Sequence, residues 1–345
     1  MRSIELQGAG GTSLIALGLP ISSVPDLCQG KKIAVITDGN VYGFHGDRFP
    51  ECSTIKIGTG EKEKTLDTVH RIYETFLSLE LDRSSFVVGI GGGIVCDIAG
   101  FAASTYLRGL PFGFVPTTLL SQVDASVGGK NGVNFQGYKN LIGTFNQPQF
   151  VLCDFRLLRT LPKAEVKNGL AEVIKHALIG DRDLLSLLEK ERENILSLQE
   201  DTIEEIVHSS LEVKVDIVSR DEKEGGERRK LNFGHTFGHA IEKTMGLSHG
   251  EAVSIGMVME ARLSMSKGLL TVHDVHRIKD MLKEYGLPTA AALDRESVID
   301  AVGKDKKREN QDIHCVLLDG IGASRIERVK LQELAEAFDD LCEHC

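Results

Sequence analysis

Between residues 31 and 155, short apolar runs alternate with helical patterns, and this alternation constrains the fold more than any other feature of the chain. Residues 31–40 (KKIAVITDGN) form an apolar run closed by Asp-Gly-Asn, and residues 53–58 (STIKIG) form a second. Residues 61–80 place Leu66, Val69, Ile72, Tyr73, Phe76 and Leu77 at helical spacing. Residues 84–93 (SSFVVGIGGG) read as a strand running into glycines, and IVCDIAGFAASTYLRG continues as a helix. Residues 112–116 and 150–154 are further strands of the buried kind. Continuous apolar strands separated by helices predict a parallel sheet covered by helices.

Beyond Leu161-Pro162 the pattern turns helical. Pro162 suits the first turn of a helix over 163–179, and helices follow near 183–196, 201–219, 233–245, 251–268 and 273–285. A strand pair at 313–318 and 324–329 and a helix at 330–343 close the chain. The expected division is an α/β domain over 1–158 and a mainly helical domain over 159–345. A chain of 345 residues with 41% hydrophobic content can fill two cores.

Composition narrows the partners. The formal charge of −10 speaks against nucleic acid, and 6% aromatics without Trp give no stacking surface. No run reaches the ~18 apolar residues of a membrane span, so no membrane partner is expected. Seven scattered cysteines form no disulfide framework, which fits a reducing cytoplasm. The terminal CEHC is a lone C-x-x-C and reads as an adventitious tail.

Residues 228–251 (RRKLNFGHTFGHAIEKTMGLSHGE) gather His235, His239 and His249 with Arg228, Lys230 and Asn232, although the chain has only 11 His. His235 and His239 share one face of a helix. His249 lies in the Gly-flanked stretch SHGEAV, a turn close enough to fold back. Two imidazoles plus a carboxylate from elsewhere would leave an open position, as in a catalytic zinc-type site. The i,i+4 pair does not show which imidazoles bind, since one can instead contact substrate. No Glu follows His235, so HExxH peptide hydrolysis has no support. Glu172 and Lys175, in GLAEVIKHA, have apolar neighbours and little solvent face, which makes Glu172 the candidate third ligand over a surface ion pair.

Residues 86–97 (FVVGIGGGIVCD) join a strand, three glycines and a helix start, which suits a pyrophosphate, though not as a full G-x-G-x-x-G. Asp38 at the end of the first strand, Glu61 and Lys64 in TGEKEK, and Thr117 and Thr118 in VPTTLLSQ outline a dinucleotide cleft. Singly, each is more often a cap or turn residue. A basic set comprises Arg108, Lys130, Lys139 with Asn140, Lys175, Lys214, Arg228 and Lys306. Lys130 and Lys139 are expected in Gly/Asn-rich loops, where side chains converge on a ligand. Positive charge concentrated in an acidic chain points to an anionic small molecule.

The segments GGGIVCDIAGFAASTYLRG, VPTTLLSQVDASVGGKNGVN, YKNLIGTFNQP, LPKAEVKNGLAEVIKHA, RDEKEGGERRKLNFGHTFGHAIE and SHGEAVSIGM resemble the 3-dehydroquinate synthase family, in its order, over roughly 31–310. The resemblance implies a Rossmann-like NAD domain and a helical domain, with the active site in the cleft between them. It implies one divalent metal, zinc or cobalt, on Glu172, His235 and His249, with His239 and Asn232 beside it. Arg108, Lys130, Asn140 and Lys306 or Lys307 would line the phosphate side of an anionic sugar-phosphate substrate. Lys214 and Arg228 would meet its carboxylate, and Lys175 a hydroxyl near the metal. Asp38, Asn40, Glu61, Lys64, Gly91, Gly92, Gly93, Asp97, Thr117, Thr118, Asp124 and Lys139 would hold NAD. The implied reaction converts 3-deoxy-D-arabino-heptulosonate 7-phosphate to 3-dehydroquinate and phosphate in the shikimate pathway, and the relatives suggest a homodimer. Cys96 and Asn131 replace the Gly and Thr common in relatives, and KDKKREN matches loosely. Alternatives are another sugar-phosphate cyclase, such as 2-deoxy-scyllo-inosose synthase, or a metal-dependent polyol dehydrogenase.

Overall fold

The computed structural model describes residues 2–8, 11–303, 308–309 and 312–342, and the chain divides into two compact units, Met1–Val166 and Lys167–Cys345. Lys306, Lys307 and the expectation for KDKKREN around them lie outside the described residues, as does the CEHC end apart from the backbone of Cys342. No helix among the described residues is long and apolar enough to cross a membrane.

The first unit opens with β1 (Arg2–Gly8) and β2 (Gly11–Leu17), then α1 (Val24–Leu27), β3 (Ile33–Asp38), α2 (Gly39–His45) and β4 (Ser53–Ile57). α3 (Leu66–Ser78), β5 (Phe86–Gly91), α4 (Gly93–Thr105) and β6 (Phe112–Pro116) continue the alternation. β7 (Lys130–Phe135), β8 (Tyr138–Phe145) and β9 (Phe150–Cys153) complete it. The main sheet runs β1-β2-β9-β6-β5-β3-β4, parallel throughout except for the antiparallel β1–β2 pair. Every residue of β5, β6 and β9 is buried, which is why these strands read as unbroken apolar runs.

Two regions depart from the sequence reading. β1 and β2 are not among the expected strands: they form a short hairpin from Arg2↔Leu17 to Gly8↔Gly11. The stretch carrying Lys130, Lys139 and Asn140 is no loop but the β7–β8 hairpin, turning at Gln136–Gly137 with φ of 48° and 81°. Positive φ at both positions gives the turn whose twist matches the paired strands.

In the second unit the helices are α5 (Lys163–Gly180), whose first residues precede the division, then α6 (Arg182–Lys190), α7 (Arg192–Leu196) and α8 (Glu200–Arg220). α9 (His235–Met245), α10 (His249–Ser266), α11 (Val272–Glu284) and α12 (Arg295–Gly303) follow. β10 (Arg308–Glu309), β11 (Asp312–Leu318) and β12 (Ser324–Lys330) form an antiparallel sheet before α13 (Leu331–Cys342). One apolar cluster, with Phe237, Ile241, Ile255, Met259, Cys315, Leu317 and Phe338, joins α9, α10, β11 and α13.

α9 and α10 approach through backbone rather than side chains. A Cβ at Gly238 would come 3.1 Å from Val253 Cα, and one at Gly256 would overlap the Gly234 carbonyl. Gly234 itself has φ 79°, which favours glycine on conformational grounds as well. His249 is the first residue of α10 rather than part of a free turn: Glu251 accepts from Ser248 N (3.0 Å) and Oγ (2.7 Å), starting the helix there.

Candidate functional site

In the first unit, the C-terminal ends of parallel strands carry the residues expected to meet a dinucleotide. Asp38 closes β3, Gly91 closes β5, and Thr117 follows β6. The chain continues from β3 to β4 on one side and from β5 to β6 on the other, so strand order reverses between β3 and β5. Ligands of open α/β sheets bind outside the strand ends at such a reversal. Gly92 caps α4 without a side-chain bond, leaving first-turn N–H groups for an anion.

Several of these side chains already have partners. Asp38 Oδ1 accepts from Asn40 N (2.8 Å) and Val41 N (2.9 Å), capping α2. Thr118 and Ser121 exchange backbone–hydroxyl bonds of 3.1 Å in both directions. Lys64 and Asp97 form an ion pair, with Lys64 nearly buried. Asp124 lies in the wide turn Ser121–Ala125. On the hairpin, Lys130, Lys139 and Asn140 are exposed, and Asn140 has φ 50°. Arg108 is exposed and follows Leu107, the two having φ of 66° and 50°, an uncommon pairing outside glycine.

Sequence reasoning missed Asn134. Its N–H donates to Lys64 O (2.8 Å), its Nδ2 to Glu61 Oε1 (2.7 Å), and its Oδ1 accepts from Asn140 N (2.9 Å). One amide thus fastens the hairpin to the Glu61–Lys64 turn, which no spacing signal announces.

In the second unit, Glu172 on α5 meets both helix-start imidazoles. Its Oε1 lies 3.4 Å from His235 Nε2 and 3.1 Å from His249 Nε2, and the three ligand atoms lie within 4.8 Å of one another. His239 sits one turn along α9, its ring centroid 5.1 Å from that of His235, and does not join this group. The outer partners suit metal ligation. His235 Nδ1 is 3.1 Å from Phe233 O, which sets the tautomer presenting Nε2, and His249 Nδ1 is 3.5 Å from Glu242. No local sequence pattern marks Glu242. Two imidazole nitrogens and one carboxylate oxygen converging on a point form the donor set of an open zinc or cobalt site.

Charge is concentrated here out of reach of water. Glu172 is 0% exposed and Lys175, its ion-pair partner on the same helix, 1%. Burial opposes the Glu172 charge, but Lys175 and the imidazoles overrule it and hold the carboxyl well below its usual range. Burial pulls His235 down to about 3, against Glu172. His249 is raised to about 9: burial opposes its charge, yet hydrogen bonds to Glu172 and Glu242 prevail. Without an ion, His249 therefore carries the proton that an incoming cation displaces. Lys214 on α8 and Arg228 are also buried, and α8 packs against the 227–232 turn. Arg228 Nη1 donates to Glu222 O, and Asn232 Nδ2 to Glu224 Oε1 (2.8 Å).

A strand-order reversal with a glycine-capped helix in one unit, and a His–His–Glu group in the other, are the parts of an enzyme that works with a dinucleotide and a divalent metal. The 3-dehydroquinate synthase N-terminal family model matches residues 54–168 and the C-terminal one residues 169–308. 3-Dehydroquinate synthase from Thermoanaerobacter pseudethanolicus is 42% identical over 322 residues, 90% of each chain. This chain belongs to the 3-dehydroquinate synthase family. Among solved structures, 2-epi-5-epi-valiolone synthase from Streptomyces hygroscopicus subsp. jinggangensis, with NAD+ and Zn2+ bound, aligns at TM-score 0.88 and 27% identity, covering 100% of both chains. 2-Deoxy-scyllo-inosose synthase complexed with carbaglucose-6-phosphate, NAD+ and Co2+ aligns at TM-score 0.85 and 26% identity, covering 98% of this chain and 100% of that one.

Proposed function

We propose that the protein is a 3-dehydroquinate synthase, cyclising 3-deoxy-D-arabino-heptulosonate 7-phosphate with loss of phosphate in the shikimate pathway. The observation that carries this reading is the set of three buried cations, Lys175, Lys214 and Arg228, in the unit that holds the His–His–Glu centre. An acidic chain keeps such charges out of water where an anionic ligand will meet them.

Glu172, His235 and His249 would hold a divalent ion, and the strand-end residues of the first unit would hold NAD. When bound, the ion supplies a Lewis acid for a substrate oxygen, and NAD a transient hydride acceptor that is regenerated within the cycle. Lys175 keeps Glu172 ionised and would bond a substrate hydroxyl near it. Lys214 and Arg228 orient the carboxylate. Arg108, Lys130 and Asn140, with Lys306 or Lys307, bind the phosphate, and the departing phosphate can serve as its own base. His239, whose ring centroid lies 5.1 Å from that of His235, would contact the substrate phosphate or pass a proton, with Asn232 assisting it. Asp38, Asn40, Glu61, Lys64, Gly91 to Gly93, Asp97, Thr117, Thr118, Asp124 and Lys139 bind NAD. A cytoplasmic homodimer completes the reading; sedimentation of the purified chain at twice its mass checks the assembly.

The test is incubation with that substrate, catalytic NAD and zinc or cobalt. Phosphate release with 3-dehydroquinate in the mass spectrum and no accumulating NADH is expected. Turnover of glucose 6-phosphate instead would favour the aminocyclitol-type cyclase, and stoichiometric NADH from a polyol would favour a dehydrogenase.

A further inference from the structure

Glu260 is 0% exposed on α10, three turns beyond His249, and the reaction outlined above gives it no task. Its Oε2 accepts from Gly234 N (2.8 Å) and its Oε1 from Thr236 N (3.1 Å), so one carboxylate grips the peptide N–H groups on both sides of His235. Those groups open α9, where donors have no partner within the helix and the dipole favours negative charge.

His249, Val253, Gly256 and Glu260 follow i, i+4, i+7, i+11 spacing and share one face of α10. Each of the last three contributes a backbone-level fit to α9: Val253 beneath Gly238, Gly256 beneath Gly234, and Glu260 at the helix start. The same face therefore presents one imidazole and fixes the main chain that carries the other.

We propose that Glu260 is a positioning residue for the metal centre, setting the place of His235 relative to His249 through the main chain rather than by touching ion or substrate. This rests on the metal reading of the His–His–Glu group. A neutral amide in its place keeps one acceptor but turns a donor toward an N–H, so α9 must shift or rotate and carry His235 with it.

The experiment compares wild type, Glu260→Gln, Glu260→Asp and Asp181→Asn. Asp181 is a control: it accepts two backbone N–H bonds, from Asp183 (2.9 Å) and Leu184 (3.0 Å), at the start of α6, and has no part in the His–His–Glu group. Zinc affinity is read by chelator competition, and the cobalt form by its visible absorption, which reports ligand geometry. Glu260→Gln is expected to weaken zinc binding about 10–100-fold, the usual scale for a group that orients a ligand, and to shift the cobalt bands. Glu260→Asp should recover part of both, and Asp181→Asn should lower the melting temperature while leaving both unchanged. Should Glu260→Gln fail to fold, Glu260→Asp decides by the same two readings. Wild-type affinity and spectrum in whichever Glu260 variant folds would overturn the proposal, leaving Glu260 a helix cap only. A wild-type protein that binds no zinc or cobalt, or keeps it in His249→Ala, would instead overturn the metal reading beneath it.

Discussion

The strand-end region of the first unit and the His–His–Glu centre of the second are built on opposite terms. At the strand ends, the candidate side chains are mostly exposed or half-buried and bond one another or nearby backbone: Lys64 with Asp97, Asp38 with the start of α2, Thr118 with Ser121. In the second unit, Glu172, Lys175, His235 and Glu260 are buried, and backbone packing of α9 on α10 holds the imidazoles. An extended, polar dinucleotide can be met by local rearrangement of small bonds. A cation cannot, because an unpaired buried charge costs more than an exposed one.

The largest effect should come from His249→Ala. Removing a ligand from a three-ligand centre is expected to abolish metal content, measured by elemental analysis, and turnover with it. His239→Ala should keep the metal and lose only turnover; equal metal loss from both would break the distinction drawn between them.

Cations on the two sides should then separate. Lys130→Ala, on an exposed strand residue, should lose about 1.5–3 kcal/mol of transition-state binding with an unchanged melting temperature. Arg228→Ala should lose as much activity and also stability, because Arg228 is buried and bonded to the Glu222 carbonyl. Identical melting curves for the two variants would erase this contrast.

Asp97→Asn should weaken NAD binding by titration calorimetry, on the order of 1.5–3 kcal/mol for one charge-assisted contact, and leave zinc affinity alone. Gly256→Ala should do the reverse: its methyl group must push α9 from α10, costing about 1–3 kcal/mol of stability and weakening metal binding. NAD affinity that fell with Gly256→Ala would show that the two regions are less separable than their construction implies.

The smallest effect should be at the thiols. Cys28 is pushed up to about 12, chiefly by burial, and Cys153 is raised further by the same cause. Both should resist alkylation at pH 8 in the native protein, since thiolate is scarce four units below the pKa; rapid labelling, read by mass spectrometry, would mean that the core around β3 and β9 opens.

What was legible in the sequence follows the same division. The window holding His235, His239 and His249 stood out as His-rich, and Glu172 as a carboxylate on a helix with little polar face; that His235 and His249 are the pair that meets Glu172 was implied by the family resemblance and not by the spacing. Their supports did not stand out: Glu242, Gly256 and Glu260 acquire meaning only once α10 lies on α9, and no local pattern encodes that contact. The parallel sheet was legible from strands apolar on both faces. The β7–β8 hairpin was not, because GGKNGVNFQGYKN is rich in turn residues and its strands expose Phe135, Tyr138, Leu141 and Phe145 instead of alternating. In both regions, residues whose role lies in their own chemistry were easier to read than residues whose role lies in holding another.

His235 and His249 are each the first residue of a helix, so both rings stand at positive dipole ends. The field there disfavours a second positive charge by roughly 0.3–1 kcal/mol per helix in exposed settings, and more where water is excluded. Glu172 and Glu242 offset it for a cation, and no such offset is needed for an anion. The two starts are not neighbours, since Gly238 packs on Val253, Gly234 on Gly256, and Glu260 closes the first turn of α9. Each imidazole therefore meets the field of its own helix alone, and at His235 the Glu260 carboxylate offsets that field as well.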